Sequence, residues 1–464
     1  MVVPHTKIIA TLGPSCWTAD GIQALTMAGA DAFRINCSHA APEAVGALVR
    51  RVREASPHAA VLVDLQGPKL RTHDVDITLQ TGDVVTLARY NHPLSKALQA
   101  KLHIPLGFDL AALDCKPPHR VLINDGRVEL LVEDVDGSVV RARVIIGGHI
   151  TSKKGVNLPD TSVATSPITP KDELDIRAAR TAGADWIALS FVQSPQDIVD
   201  LRTLAGNDMK LLAKVERPQI LQHLDALCIE ADGVMAARGD LGVEVPFELV
   251  PAIQQEIVLA ATKAGTVSVC ATEMLESMIS ASRPTRAETN DVATAVRDGF
   301  DVVMLSGETA TGHDPANAVR AMARICSTYE HTRRTNAFAD ANPQRAAVTA
   351  AAAALASRLH AGVIISLTTT GYSAELLSAC RPPVVIVAAT TSQEVCRALQ
   401  LRWGVVPVVL KRPNDMDEAA EIAVAYVRDA GICQVGDKVV LCASRLSRRS
   451  DADSVWVVTV PAHS

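Results

Sequence analysis

At 464 residues, with 48% hydrophobic and 21% charged side chains, the chain has the balance of a soluble globular protein and exceeds one ordinary core, so two or three domains are expected. A net charge of -6 and only 3% aromatic residues argue against a generic nucleic-acid or anionic-membrane binder, which needs basic surface and stacking platforms. Ten cysteines occur without a C-x-x-C pair, and Cys228, Cys270 and Cys442 lie inside apolar runs, so buried free thiols are expected rather than disulfides or zinc.

The opening MVVPHTKIIATLGP lacks a charged-then-apolar leader pattern, and no apolar run approaches a membrane span, so a cytoplasmic chain is expected. Lys7 to Gly13 predicts a short apolar strand, and Thr18-Ala19-Asp20-Gly21 opens a helix that ends at Gly29. Asp31 to Asn36 and Ala60 to Leu65 predict the next two strands. The rhythm breaks from about Thr72 to Asp160, where apolar and polar residues alternate between turn signals such as Asp136-Gly137, the pattern of antiparallel strands. This insertion, residues 72–160, is placed where a lid would attach, although a passive insertion has the same pattern.

Strand and helix alternation resumes with Trp186 to Phe191, a strand ending in Lys214-Val215-Glu216, one ending in Arg238-Gly239-Asp240, then Val267 to Thr272 and Val302 to Ser306. Eight continuous apolar strands separated by helices predict a parallel sheet closed into a (β/α)8 TIM barrel made of residues 1–71 and 161–335. Arg34, Asn36, Asp64, Ser190, Lys214, Glu216, Asp240, Thr272, Ser306 and Glu308 all fall at the C-terminal ends of these strands, the rim where such barrels hold their chemistry. Lys214 and Glu216 are two apart and leave one face of their strand, and the next strand offers Asp240. Buried charges of this kind either hold a divalent metal or pair with each other.

After the polar RTNAFADANPQ, residues 336–464 begin a separate α/β unit, with strands expected at Val363 to Leu367, Val384 to Ala388, Val405 to Leu410, Lys438 to Cys442 and Val455 to Val460 in an open sheet. Thr368, Thr369, Thr370, Gly371 and Ser373 lie between a strand and a helix, where hydroxyls suit a phosphate or simple helix capping equally.

The segments KIIATLGPS, FRINCSH, DLQGPKLR, SKKGVNLP, AKVER, DGVMAARGDLGVEVP, CATEMLESM, RPTRAE and VVMLSGETATG together resemble the pyruvate kinase family. The resemblance implies the glycolytic transfer of a phosphoryl group from phosphoenolpyruvate to ADP, giving pyruvate and ATP. It also implies a barrel with a small β-barrel lid, a C-terminal regulatory domain that takes a sugar-phosphate or nucleotide effector, and a homotetramer. By family correspondence Arg34 meets the transferring phosphate and Lys214 the charge developing toward the enolate. Glu216 and Asp240 hold Mg²⁺, or Mn²⁺ in its place, the backbone at Gly239 and Asp240 takes the substrate carboxylate, and Thr272 serves the methylene carbon.

Two departures bear on the monovalent cation. Asn36, Ser38 and Asp64 match potassium ligands, but Lys69 stands where potassium-requiring members have glutamate, and Leu65 where they have threonine. An ammonium about 5 Å from a phosphate contributes on the order of 3 kcal/mol at an effective dielectric of about 20, so Lys69 is expected to replace K⁺. Glu273 stands where glutamine is common. His39, Arg71, Lys153 and Lys154 correspond to nucleotide contacts, or to ordinary surface charges. The usual glycine-rich loop near the end is replaced by a stretch containing Arg445, Arg448 and Arg449, which could bind an anionic effector or be surface arginines. On the residues alone, a phosphoenolpyruvate-handling lyase or mutase and a catalytically dead sensor stay open beside the kinase reading.

Overall fold

The computed structural model describes residues 4–93, 102–161, 166–330, 343–411, 413–443 and 454–462. Strands β1 (Lys7–Thr11), β2 (Ala32–Asn36) and β3 (Ala60–Asp64) come first. The insertion follows as β4 (Asp76–Leu79), β5 (Val84–Arg89), β6 (His103–Leu106), β7 (Arg120–Ile123), β8 (Val128–Asp136), β9 (Val139–Ile146), β10 (Gly148–Thr151) and β11 (Val156–Asn157). The series then resumes with β12 (Trp186–Leu189), β13 (Lys210–Val215), β14 (Gly233–Ala237), β15 (Val267–Ala271) and β16 (Val302–Leu305).

The eight non-inserted strands close in the order β1-β16-β15-β14-β13-β12-β3-β2, as the alternation of apolar runs and helices predicts. All eight are parallel and almost wholly buried, so their side chains are mostly apolar. One layer of the core fills the barrel, around Ile9, Leu62, Trp186, Met235 and Met304, and a larger layer lies between the strands and the outer helices. The helix exits at Gly29 (φ 114°) and Gly183 (φ 82°) take the left-handed conformation, each N-H turning back to a carbonyl of the last helical turn. One element differs from expectation. Arg238-Gly239-Asp240 does not extend β14 but forms the first turn of a helix, Arg238–Glu244, so these residues turn across the rim.

In the insertion, β11-β7-β8-β9-β5-β6 form one sheet while β10 and β4 pair only with each other. The two share a single core containing Leu79, Leu87, Val132 and Ile150, so the unit packs like a small barrel although its hydrogen bonds do not close a ring. Its two connections to the barrel run side by side, with Thr72 N-H donating to the Lys154 carbonyl at 2.9 Å.

The last unit is the sheet β19-β18-β17-β20-β21, made of β17 (Val363–Leu367), β18 (Val385–Thr390), β19 (Val405–Val409), β20 (Lys438–Ala443) and β21 (Ser454–Thr459), the last antiparallel. It docks under the N-terminal ends of the barrel strands. Arg397 pairs with Asp185 at 2.9 Å, Arg381 with Asp301, and Arg402 donates to the Gly265 carbonyl at 2.7 Å. Leu401, fully buried, joins the cluster inside the barrel. Leu401→Ala should therefore cost about 2–5 kcal/mol, read as a lower unfolding midpoint, because the barrel floor cannot collapse onto the missing side chain. An unchanged midpoint would show the floor to be closed without it.

All ten cysteines are free thiols, buried except for the half-buried Cys380. Among the described residues no helix is long and apolar enough to cross a membrane.

Candidate active site

The barrel gathers the charged residues at the ends of β2, β3 and β13 into one cluster. Lys214 Nζ, almost wholly buried, lies 2.6 Å from Glu216 Oε1 and 3.3 Å from Asp64 Oδ1, and donates to Ser190 Oγ at 2.8 Å. Arg34 reaches the other side of Asp64, with Nε and Nη2 at 2.7 and 2.6 Å from Oδ2, and Nη1 donates to Thr11 Oγ1 at 3.3 Å. Glu216 also accepts the Phe191 N-H at 2.7 Å.

Charge balance decides the protonation of this cluster. Burial alone would strip the Lys214 proton, but Asp64, Glu216 and Asp240 outweigh it and hold the ammonium above the usual lysine range. Burial would likewise raise the Asp64 carboxyl, yet Lys214 and Arg34 hold it below the usual range. Glu216 is the least compensated group, pushed up to about 7 by burial, with Asp240 adding to the rise and Lys214 opposing it. A divalent cation would discharge this excess. Among the described residues no group of three His, Cys, Asp or Glu side chains could hold a metal unaided. The weakly compensated Glu216 carboxyl, with Asp240 acting on it, has the chemistry of a site that takes Mg²⁺ on one or two carboxylates and completes the shell with substrate oxygens and water.

Thr272 follows β15 with φ 70°, and Glu273 with φ 54°. A β-branched residue in the left-handed region is a true outlier and costs about 1–3 kcal/mol, so the surroundings must hold it there. The hydroxyl accepts the Gly239 N-H at 2.8 Å and donates to the Ala271 carbonyl at 2.6 Å. This joins the start of the Arg238–Glu244 helix to the end of β15. A Cβ at Gly239 would meet nothing nearer than Thr272 Oγ1 at 3.4 Å, so the protein itself does not crowd this glycine.

The residues expected around a monovalent cation are engaged by the protein's own groups. Asn36 Oδ1 accepts the Ser38 N-H at 3.0 Å, Asp64 is taken by two cations, and the buried Leu65 offers its carbonyl to Ser190 Oγ at 2.7 Å. Lys69 forms no ion pair among the described residues and leaves much of its side chain in solvent. Partial desolvation, reinforced by Lys214 and Arg71 against Asp240 and Glu216, holds its ammonium below the usual lysine range. Its charge thus acts on the cluster.

Other expected residues have partners within the protein. Arg71 Nη1 donates to the Lys153 carbonyl at 2.7 Å across the two connections of the insertion, and Lys154 meets Thr72 through its backbone. Glu308 is buried and accepts the N-H groups of Leu275 and Ser306 at 3.0 and 2.7 Å, so it holds backbone rather than facing the rim. In the C-terminal unit Thr368 Oγ1 accepts the Gly371 N-H at 2.9 Å and Ser373 is turned inward to Ser366 at 2.8 Å, which leaves Thr369 and Thr370 exposed. The His39 side chain, Arg445, Arg448 and Arg449 lie outside the described residues.

A cleft of about 840 Å³ opens between a turn of the insertion, at Asp125 and Arg127, and the rim at Arg238, Gly239, Asp240 and Glu273. Asp240 is the residue it shares with the charged cluster. The insertion is tied to the rim, with Asn157 Nδ2 donating to Glu244 Oε1 at 2.8 Å. Sequence reasoning gave no role to Arg238 or Asp291. The only available signal was an arginine directly after the apolar run GVMAA.

Comparison with known proteins covers both the barrel and the C-terminal unit. The family model described as pyruvate kinase, barrel domain, matches residues 3–319, and that described as pyruvate kinase, alpha/beta domain, matches residues 346–458. Over 95% of its length the chain is 40% identical to a pyruvate kinase of Methylorubrum extorquens, covering 94% of that protein. It is 38% identical to a pyruvate kinase of Agrobacterium vitis, with 94% of each chain covered. Against pyruvate kinase 2 of a Synechocystis species it is 37% identical, with 95% of this chain and 77% of the relative covered.

Proposed function

The chain belongs to the pyruvate kinase family and is a phosphotransferase of that type, and on that basis we propose that Arg34, Lys214, Glu216, Asp240 and Thr272 carry phosphoryl transfer from phosphoenolpyruvate to ADP. The observation that carries the reading is the buried Lys214, held by Asp64 and Glu216, with Arg34 on the other side of Asp64, two basic side chains fixed before any substrate arrives. Phosphoenolpyruvate is densely anionic, and its transfer spreads charge over the phosphoryl oxygens, so preorganised cations supply most of what the protein can contribute.

The bond from phosphorus to the enol oxygen breaks, its electron pair staying on that oxygen, while a terminal phosphate oxygen of ADP forms the new bond. Arg34 orients the phosphate and Lys214 meets the charge developing on the oxygen left behind. The enolate then takes a proton at its methylene carbon to become pyruvate, with Thr272 ordering the donor. The Asp240 N-H, in the first turn of the Arg238–Glu244 helix, binds the substrate carboxylate, while the Gly239 N-H stays on Thr272. Mg²⁺ held by Glu216 and Asp240 would neutralise phosphate charge when bound.

Lys69 supplies the fixed positive charge that K⁺ would otherwise bring, supported by its electrostatic reach to the cluster and by the occupied state of Asn36 and Asp64. Regulation belongs to the same reading. An anionic effector, a sugar phosphate or nucleotide, drawn to Thr369 and Thr370 would sit at the start of the helix Tyr372–Ala379. Its Glu375 lies 3.5 Å from Lys210, at the foot of β13, the strand that carries Lys214.

The test is turnover of phosphoenolpyruvate with ADP and Mg²⁺ in buffer free of sodium and potassium, repeated with KCl at matched ionic strength. Rates within about threefold of each other are expected, a difference of well under 1 kcal/mol. A rate without K⁺ below about one tenth of that with it, roughly 1.4 kcal/mol, would discard the Lys69 assignment and keep the enzyme. Absence of turnover in both, with effectors added, would overturn the function.

A further inference from the structure

Arg238 is nine-tenths buried and uses every side of its guanidinium. Nη1 meets both oxygens of Asp291 at 2.7 and 2.8 Å, and Nε and Nη2 both donate to the Thr272 carbonyl at 3.2 and 2.5 Å. Nη2 also contacts Met274 Sδ at 3.0 Å. Three elements converge here: Arg238 starts the helix after β14, Thr272 follows β15, and Asp291 lies in the helix Arg286–Asp298. The residue they fix, Thr272, has a strained backbone, with φ 70°.

We propose that Arg238, anchored by Asp291, is a positioning residue that clamps the strained Thr272 carbonyl and so aims the Thr272 hydroxyl at the methylene carbon of the reacting enolate. The inference rests on the role given above to Thr272. A planar fork is what the task requires, because one guanidinium grips a carbonyl and a carboxylate at once, which a lysine ammonium cannot do with the same geometry. The hydroxyl's own bonds make its aim depend on the clamp. Its donated bond goes back to Ala271 and its accepted bond comes from Gly239, so the remaining lone pair points wherever the backbone of Thr272 sets it. A shift of about 1 Å in a reacting group costs on the order of 10²-fold in rate.

The test is a double-mutant cycle of Arg238→Lys with Thr272→Ala. Each variant is assayed for kcat, for the KM of phosphoenolpyruvate and for exchange of pyruvate methyl hydrogens with D₂O by NMR. Arg238→Lys is expected to lower kcat and methyl exchange about 10²-fold with KM nearly unchanged. The same substitution in the Thr272→Ala background should cost no more than about twofold, the scatter of independent sites. An equal loss in both backgrounds would overturn the clamp while leaving Thr272 its role. Thr272→Ala with normal kcat and normal exchange would overturn the role of Thr272 and the clamp with it. If Arg238→Lys fails to fold, Asp291→Asn keeps a hydrogen bond to Arg238 and replaces it in the cycle, judged by the same non-additivity.

Discussion

Lys214→Met should lower kcat about 10²- to 10³-fold, the loss usual for one preorganised donor at a developing oxyanion. Methionine keeps most of the volume and none of the charge, so the change reads electrostatics rather than packing. The effect should fall on kcat more than on KM, because the charge Lys214 meets appears mainly in the transition state. The same substitution leaves Asp64 and Glu216, both almost wholly buried, with one cation fewer, and the variant should therefore take up protons as it folds near neutral pH. Turnover within about threefold of the parent, against an expectation of at least about 10²-fold, would remove Lys214 from the reaction.

Asp64→Asn should be the most destabilising conservative change on the rim, about 3–5 kcal/mol, because it leaves Arg34 and Lys214 buried without their shared carboxylate. The pH dependence has a definite sign. Lys214 and Arg34 hold the folded pKa of Asp64 below its unfolded value despite burial. Its contribution is therefore present above the ordinary carboxylate pKa of about 4 and is lost as pH falls through the lower folded value. Denaturant titrations of parent and variant should differ most from about pH 5 upward and converge in stronger acid. Coincident curves at pH 7 would mean that the two cations find other partners.

Much of this arrangement was legible in the sequence because barrel strands are buried on both faces. Against VLV, LLA or GVMAA a single Asp, Lys or Arg stands out, and its position in the run tells which end of the strand it occupies. The same reasoning misplaced Arg238-Gly239-Asp240, since glycine inside an apolar stretch does not say whether the chain extends or turns into a helix. It also placed Glu308 on the rim, where the structure turns that side chain inward to cap backbone N-H groups. Pairing was beyond reach. Asp64 divided between Arg34 and Lys214, or Arg238 gripping Asp291, depends on which strand ends become neighbours when the barrel closes, and spacing along the chain does not encode that. The docking of the C-terminal unit was invisible for the same reason, because Arg381, Arg397 and Arg402 look like surface arginines until their partners arrive.

That docking bears on how such enzymes can be divided and recombined. Leu401 and its arginine neighbours close the barrel from below, so a barrel excised without residues 375–404 would carry an apolar hole beside Asp185 and Asp301, each stripped of one arginine partner. Such a fragment would be an aggregation hazard rather than a smaller catalyst. A chimera that grafts another relative's regulatory sheet must bring a matching floor plug with it, so new control can be acquired only together with the underside of the catalytic half.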